Sequence, residues 1–145
     1  MTISDFGHWT CDIGVPEEPY GFIYEITTRS GKKYIGKKQM VTKLKRKPLK
    51  GKKRKRISIV ETDWRKYTSS SNIINEEIEK NGKDGFTFKI LRFVFSKFEA
   101  AYGEAKIQFE KNVLFDETYL NGIINLRLSR APKELQERFS RGEFT

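Results

Sequence analysis

Residues 21–38 constrain the fold of this 145-residue chain more than any other stretch. Gly-Phe-Ile-Tyr-Glu-Ile-Thr-Thr (21–28) alternates apolar and polar side chains. Arg-Ser-Gly (29–31) supplies a turn, and Lys-Lys-Tyr-Ile-Gly-Lys-Lys (32–38) returns as a second strand, so the segment reads as a β-hairpin. Successive strand side chains point to opposite faces. Tyr24 and Tyr34, ten residues apart around the turn, therefore have the parity to share one face and act together. Strand tyrosines are by themselves ordinary packing residues, so the pair needs support from the rest of the chain.

The next segment has a different character. Residues 43–56 hold ten basic side chains and no acid: Lys43, Lys45, Arg46, Lys47, Lys50, Lys52, Lys53, Arg54, Lys55 and Arg56. The whole chain carries 29 Lys and Arg against 19 Asp and Glu, a net charge of +10, so removing these ten leaves 19 against 19. The excess lies in one insertion (39–63), which points to an arm that binds a polyanion. Pro48 and Gly51 argue against one continuous helix there, and Ile57–Val60 reads as a short closing strand. No amphipathic apolar face accompanies the charge, so phosphate backbone is favoured over a membrane surface.

After the insertion, Ser69–Asn72 suits a helix start, with Asn81-Gly82 as its stop. Phe86–Phe95 is apolar on both faces, as in a covered strand. Ser96 and Glu99 match a capping box that opens a helix to about residue 111. Phe98, Ala101, Tyr102, Ala105 and Phe109 form its expected core stripe, while Glu99 and Glu110 read as capping and surface charges. Residues 1–20 read as an irregular lead-in and 129–145 as a tail holding a terminal helix. The order gives an α/β sandwich with an antiparallel three-stranded sheet flanked by helices. Cys11 is the only cysteine and His8 the only histidine, which excludes an internal disulfide and a His-pair metal site. The polar N-terminus and the lack of a long apolar run set the expectation of a soluble intracellular protein with no membrane partner.

Phe22-Ile23-Tyr24, preceded by Gly21, and Tyr34-Ile35-Gly36 together resemble the paired motif of the GIY-YIG nuclease family. The resemblance covers about residues 20–128, with a nuclease domain over 21–128; Tyr-Ile-Gly-Lys-Lys (34–38), the basic insertion, Asp-Trp-x-x-Tyr (63–67) with the serines after it and Glu-Ala-Lys-x-Gln-Phe-Glu (104–110) together look like the stand-alone, phage-type homing endonuclease-like members. It implies a DNA endonuclease that hydrolyses phosphodiester bonds with one Mg²⁺ (or Mn²⁺). In that scheme Tyr24 deprotonates the attacking water, Tyr34 assists, and an arginine stabilises the phosphate. Glu104, beside the small residues Ala100, Ala101, Gly103 and Ala105, holds the metal. Asn125, in Gly-Ile-Ile-Asn, supports the site. Arg46 is the favoured arginine, with Arg54, Arg56 and Arg65 as alternatives, and Lys37 and Lys38 can also face the phosphate. The partner is DNA, without a small-molecule cofactor, bound by a monomer or a transient dimer. Two rivals explain the charge alone: a non-catalytic nucleic-acid-binding protein derived from a nuclease, and a small RNA-binding protein.

Overall fold

The computed structural model describes residues 3, 5–124 and 126–143; for Arg46 it describes the strand but not the side chain. The hairpin forms as the alternation requires. Strand β2 (Gly21–Thr27) pairs antiparallel with β3 (Lys33–Gln39), setting Tyr24 opposite Gly36 and Ile26 opposite Tyr34. The turn closes through Thr28 and Lys32, with Gly31 at a φ of 87°, where a side chain would be strained.

On its other edge β2 pairs antiparallel with β6 (Thr87–Val94). The register shifts opposite Ile23 and Tyr24, so Leu91 is an extra residue between Ile90 and Arg92. That bulge explains why the segment looks apolar on both faces. Phe88, Ile90 and Phe93 join one hydrophobic cluster, while Leu91 and Val94 join the other.

The sheet is not the antiparallel three-stranded one expected. It has four strands in the order β1-β6-β2-β3 and is mixed, because β1 (Thr10–Cys11) runs parallel to β6. Two residues are too few to show alternation, so nothing marks this strand in the sequence. The lead-in is also anchored rather than irregular throughout. Trp9 is buried, and its indole N–H donates to the Trp64 carbonyl at 2.6 Å.

The insertion is a separate two-stranded antiparallel ribbon, β4 (Val41–Arg46) and β5 (Arg56–Glu61), joined by residues 47–55. Its base is tied to the domain: Met40 N–H donates to the Tyr20 carbonyl at 2.8 Å, and Thr62 N–H to that of Met40 at 2.9 Å. A 3₁₀ turn (Trp64–Lys66) follows and seats Trp64 fully buried against Phe22. Helix α1 (Asn72–Asn81) starts at Ser71, whose hydroxyl accepts from Ile74 N–H, and stops at Gly82.

Helix α2 (Lys97–Glu110) starts at the expected cap, Ser96, which accepts from Glu99 N–H at 3.1 Å. Its packing face differs from the expected stripe. Glu99, Ala100, Gly103, Ala105 and Gln108 are buried, while Phe109 is 58% exposed. The reason is steric: a Cβ on Gly103 would lie 2.6 Å from Ile23 Cδ1, so the helix needs its small residues against the sheet. Phe98 and Tyr102 turn instead toward helix α3 (Lys133–Ser140), lining an apolar cleft of about 350 Å³ with Leu135 and Phe139. Glu99, expected as a capping charge, does more than cap. It is 1% exposed, accepts from Phe95 N–H at 2.8 Å and takes both guanidinium nitrogens of Arg138 at 3.1–3.2 Å.

The sheet thus separates two clusters. One holds Trp9, Phe22, Tyr24, Ile26, Trp64 and Ile74, and the other holds Ile23, Ile35, Val94, Ala100 and Val113. Each large apolar side chain buried this way contributes roughly 1.5–3 kcal/mol of transfer free energy. Among the described residues no helix is long and apolar enough to cross a membrane.

Candidate active site

Strand β3 is an edge of the four-stranded sheet, and Gly36 makes a gap in that edge. Tyr24 lies directly across from it, and a Cβ at Gly36 would come 2.6 Å from Tyr24 Cζ. The missing side chain lets the Tyr24 ring lie across the strand. A cleft of about 320 Å³ opens there, lined by Gly36, Lys37, Lys38, Tyr67, Ser70 and Glu104, among others. The tyrosines belong to the cluster on one face of the sheet, whereas Glu104 comes from α2 on the other. They meet around the edge strand, where no further strand intervenes.

Tyr24 and Tyr34 share a face, as their parity requires, with ring centroids 6.3 Å apart. Tyr24 is 1% exposed, and Tyr34 Oη lies 3.1 Å from Ser70 Oγ. Burial holds the Tyr24 phenol well above its ordinary pKa, and the nearby Tyr67, Tyr34 and Glu104 add to the effect. Tyr24 is therefore a neutral hydroxyl at physiological pH.

Tyr67, at the end of Asp-Trp-x-x-Tyr (63–67), lines the cleft without being one of the expected site residues. Its ring meets that of Tyr24 edge-on at 6.1 Å, and Lys38 Nζ stands 4.3 Å from its centroid, a cation–π contact. Burial raises its pKa, while hydrogen bonding with Tyr24 and Ser70 works in the opposite direction. The segment that presents Tyr67 and Ser70 is held tightly. Ser69 adopts a φ of 89°, its hydroxyl accepts from Ser71 N–H, and its carbonyl accepts from the Asn75 amide. A non-glycine residue in that region stores strain of order 1–3 kcal/mol, which the surrounding structure must offset. His8 is a buttress: its Nε2 lies 2.9 Å from the Tyr67 carbonyl and its ring stacks on Phe88 at 3.9 Å. Burial lowers its pKa, so it is neutral at pH 7 and its Nε2–H donates to that carbonyl.

Glu104 faces the cleft with its side chain 18% exposed, and Lys37 Nζ lies 3.6 Å from Oε1. Burial raises the carboxyl pKa, and Lys37 only partly counters it. The carboxylate is thus incompletely compensated. Lys38 pairs with Asp63 at 3.0 Å. Lys97, at the first position of α2, is a third cation on the cleft wall.

The remaining expected residues are distributed as follows. The Arg46 side chain lies outside the described residues. Lys43 and Lys45 project from β4, Lys47, Lys50, Lys52, Lys53, Arg54 and Lys55 sit in the connecting loop, and Arg56 begins β5; all are exposed. Arg65 is engaged elsewhere, hydrogen-bonded to Glu61 at 3.0 Å and stacked 4.5 Å over Trp64. Asn125 also lies outside the described residues. Four positions earlier, however, Asn121 is 7% exposed and bonds both backbone groups of Ile35, accepting its N–H at 3.0 Å and donating to its carbonyl at 2.8 Å. Gln108 donates to the same carbonyl at 3.1 Å. These two amides satisfy the free side of the edge strand next to Gly36. The only signal for Asn121 in the sequence is its place before Gly-Ile-Ile, where Asn125 competes for attention.

Glu104 is the only carboxylate among the described residues lining the cleft, and no cluster of three His, Cys, Asp or Glu occurs among them. A single carboxylate fits a hard cation that keeps most of its waters, as Mg²⁺ does. No significantly similar curated protein or solved structure was found. A family model described as "Putative endonuclease segE, GIY-YIG domain" matches residues 9–124, which span the hairpin, the ribbon, Tyr67 and Glu104, and the chain belongs to that GIY-YIG nuclease family.

Proposed function

We propose that the chain is a divalent-metal-dependent DNA endonuclease, homing endonuclease-like in type, that hydrolyses phosphodiester bonds in the cleft beside Gly36. One observation carries the reading: Tyr67, Lys37, Lys38, Lys97 and Glu104 line one cleft beside Gly36, and Tyr24, in ring contact with Tyr34 and Tyr67, packs against that glycine.

A phosphodiester resists attack because its charge repels nucleophiles, so a site must orient a water, accept its proton and stabilise the negative charge that develops. Lys37, Lys38 and Lys97 are the described cations on the cleft wall, and we assign phosphate contact to them. Glu104 is assigned as the protein ligand of Mg²⁺ or Mn²⁺, whose charge would assist the leaving oxygen. The hydroxyls of Tyr24, Tyr34 and Tyr67 position the attacking water. Tyr24 holds its proton in the free protein. Acting as the base requires Tyr24 first to lose that proton to solvent; the Lys37 and Lys38 ammoniums, with the charge of a cation held at Glu104, would stabilise the phenolate that then accepts the water's proton. Asn121 and Gln108 keep β3, and with it Gly36 and Lys37, in place.

The test is supercoiled plasmid DNA with purified protein and Mg²⁺. Nicked circles are expected in Mg²⁺ and none in EDTA. Equal nicking in both would overturn the metal dependence, and DNA left intact across varied plasmids would favour a binding module.

A further inference from the structure

The basic ribbon carries more than charge. Its register places Lys43 opposite Ile59 and Lys45 opposite Ile57, so one face alternates lysine and isoleucine across the strands. Ile57 is 63% exposed and Ile59 69% exposed. Single exposed apolar residues are commonplace. Two at alternate positions of β5, opposite Lys43 and Lys45, give the basic ribbon the apolar face that the sequence does not lead one to expect, and neither solubility nor folding explains it.

That face is continuous with the cleft. Lys43, Ile59, Val41 and Thr42 line a shallow depression with Tyr20 and Gln39, and the latter two also line the cleft that holds Glu104. A duplex seated at the cleft therefore passes over Tyr20 and Gln39 onto the lysine–isoleucine face. The dimensions agree. Paired strands lie about 4.8 Å apart and six residues extend about 20 Å. The major groove, about 12 Å wide, admits a two-stranded ribbon, whereas the minor groove, about 6 Å wide, takes one only with the DNA deformed. Within the major groove the one apolar group on a base edge is the thymine 5-methyl.

We propose that β4 and β5 form a sequence-reading ribbon that lies in the major groove, with Ile57 and Ile59 against thymine methyl groups while Lys43 and Lys45 hold the flanking phosphates. The proposal rests on the reading of the cleft as a DNA site and extends it from where the chain cuts to what it recognises. The lysines bind any sequence alike, because phosphates carry no base identity. The isoleucines supply the discrimination, favouring A·T-rich major grooves.

The test compares binding to one A·T-rich duplex and to the same duplex with uracil in place of every thymine, which removes only the methyl groups. The native chain is expected to bind the thymine duplex more tightly, by about fourfold for each methyl covered. An I57S/I59S variant, altered only at exposed positions, should bind both duplexes equally with its salt dependence unchanged and its thermal unfolding intact. A K43Q/K45Q variant should keep the thymine preference while its log-affinity against log-salt slope falls by about 2. Equal native affinity for the two duplexes, or a thymine preference that survives I57S/I59S, overturns the proposal. So does a native dimer in sedimentation that I57S/I59S dissolves, since the face is then a self-association surface. Plasmid nicking separates the two readings: preference without nicking removes the nuclease and leaves the ribbon, and nicking without preference does the reverse.

Discussion

A methyl group at Gly36 would press against the Tyr24 ring, which is itself fully enclosed. Neither the strand backbone nor the buried phenol can move freely, so Gly36→Ala is expected to cost about 1–3 kcal/mol in chemical denaturation and to lower cutting as well. Glu104 shows the opposite coupling. Its pKa is raised in the folded chain, so the ionised form is disfavoured by folding. That contribution favours the fold below the unfolded-state pKa and is lost as pH rises through the raised folded value. At neutral pH Glu104→Gln should therefore unfold at a higher temperature than the native chain while losing nuclease activity. A lower melting temperature would mean that the carboxylate is well compensated. Tyr24, Tyr34 and Glu104 are legible in the sequence because the first two lie on one hairpin and the third has small neighbours on a capped helix. Tyr67 shows in the sequence only as the end of Asp-Trp-x-x-Tyr; its place in the cleft does not, because its segment is held by side-chain hydrogen bonds and a strained Ser69 rather than by any periodic pattern.

Among the elements, α2 and α3 are joined by the Glu99–Arg138 pair, in which Glu99 is wholly enclosed. Removing Arg138 takes the bidentate partner from a buried carboxylate that Arg92 also faces, so the loss is at most about 3–5 kcal/mol, that of a fully unpaired buried charge. Arg138→Ala should show it by denaturant titration, and the Glu99→Gln/Arg138→Ala double variant should recover part of it, because the stranded charge is gone. A loss of a few tenths would mean that solvent reaches the carboxylate. Helix α2 itself is readable from its cap, but its packing face is not. Hydrophobicity selects Phe98, Tyr102 and Phe109, whereas the sheet needs the room that Gly103 leaves for Ile23. Similarly, β4 is obscured because Lys-Leu-Lys-Arg scores as charge rather than as strand, and β1 is too short for any pattern. The hairpin and β6 are legible because burial dictates their side chains directly.

At the scale of the whole molecule, an otherwise neutral domain carries its charge on one projecting ribbon beside the cleft. Affinity and chemistry are therefore separable. If the arm engages about five phosphates, neutralising residues 43–56 should flatten the slope of log affinity against log salt by about 4 to 5, and an unchanged slope would show that the arm does not touch the backbone. The converse separation tests the site itself. Glu104→Ala removes the cleft's carboxylate and leaves the ribbon intact, so plasmid nicking in Mg²⁺ and duplex binding should be measured side by side on native and variant protein. Loss of nicking with binding kept within about twofold is the predicted result; nicking by Glu104→Ala at the native rate would contradict the assignment of this cleft as the catalytic site.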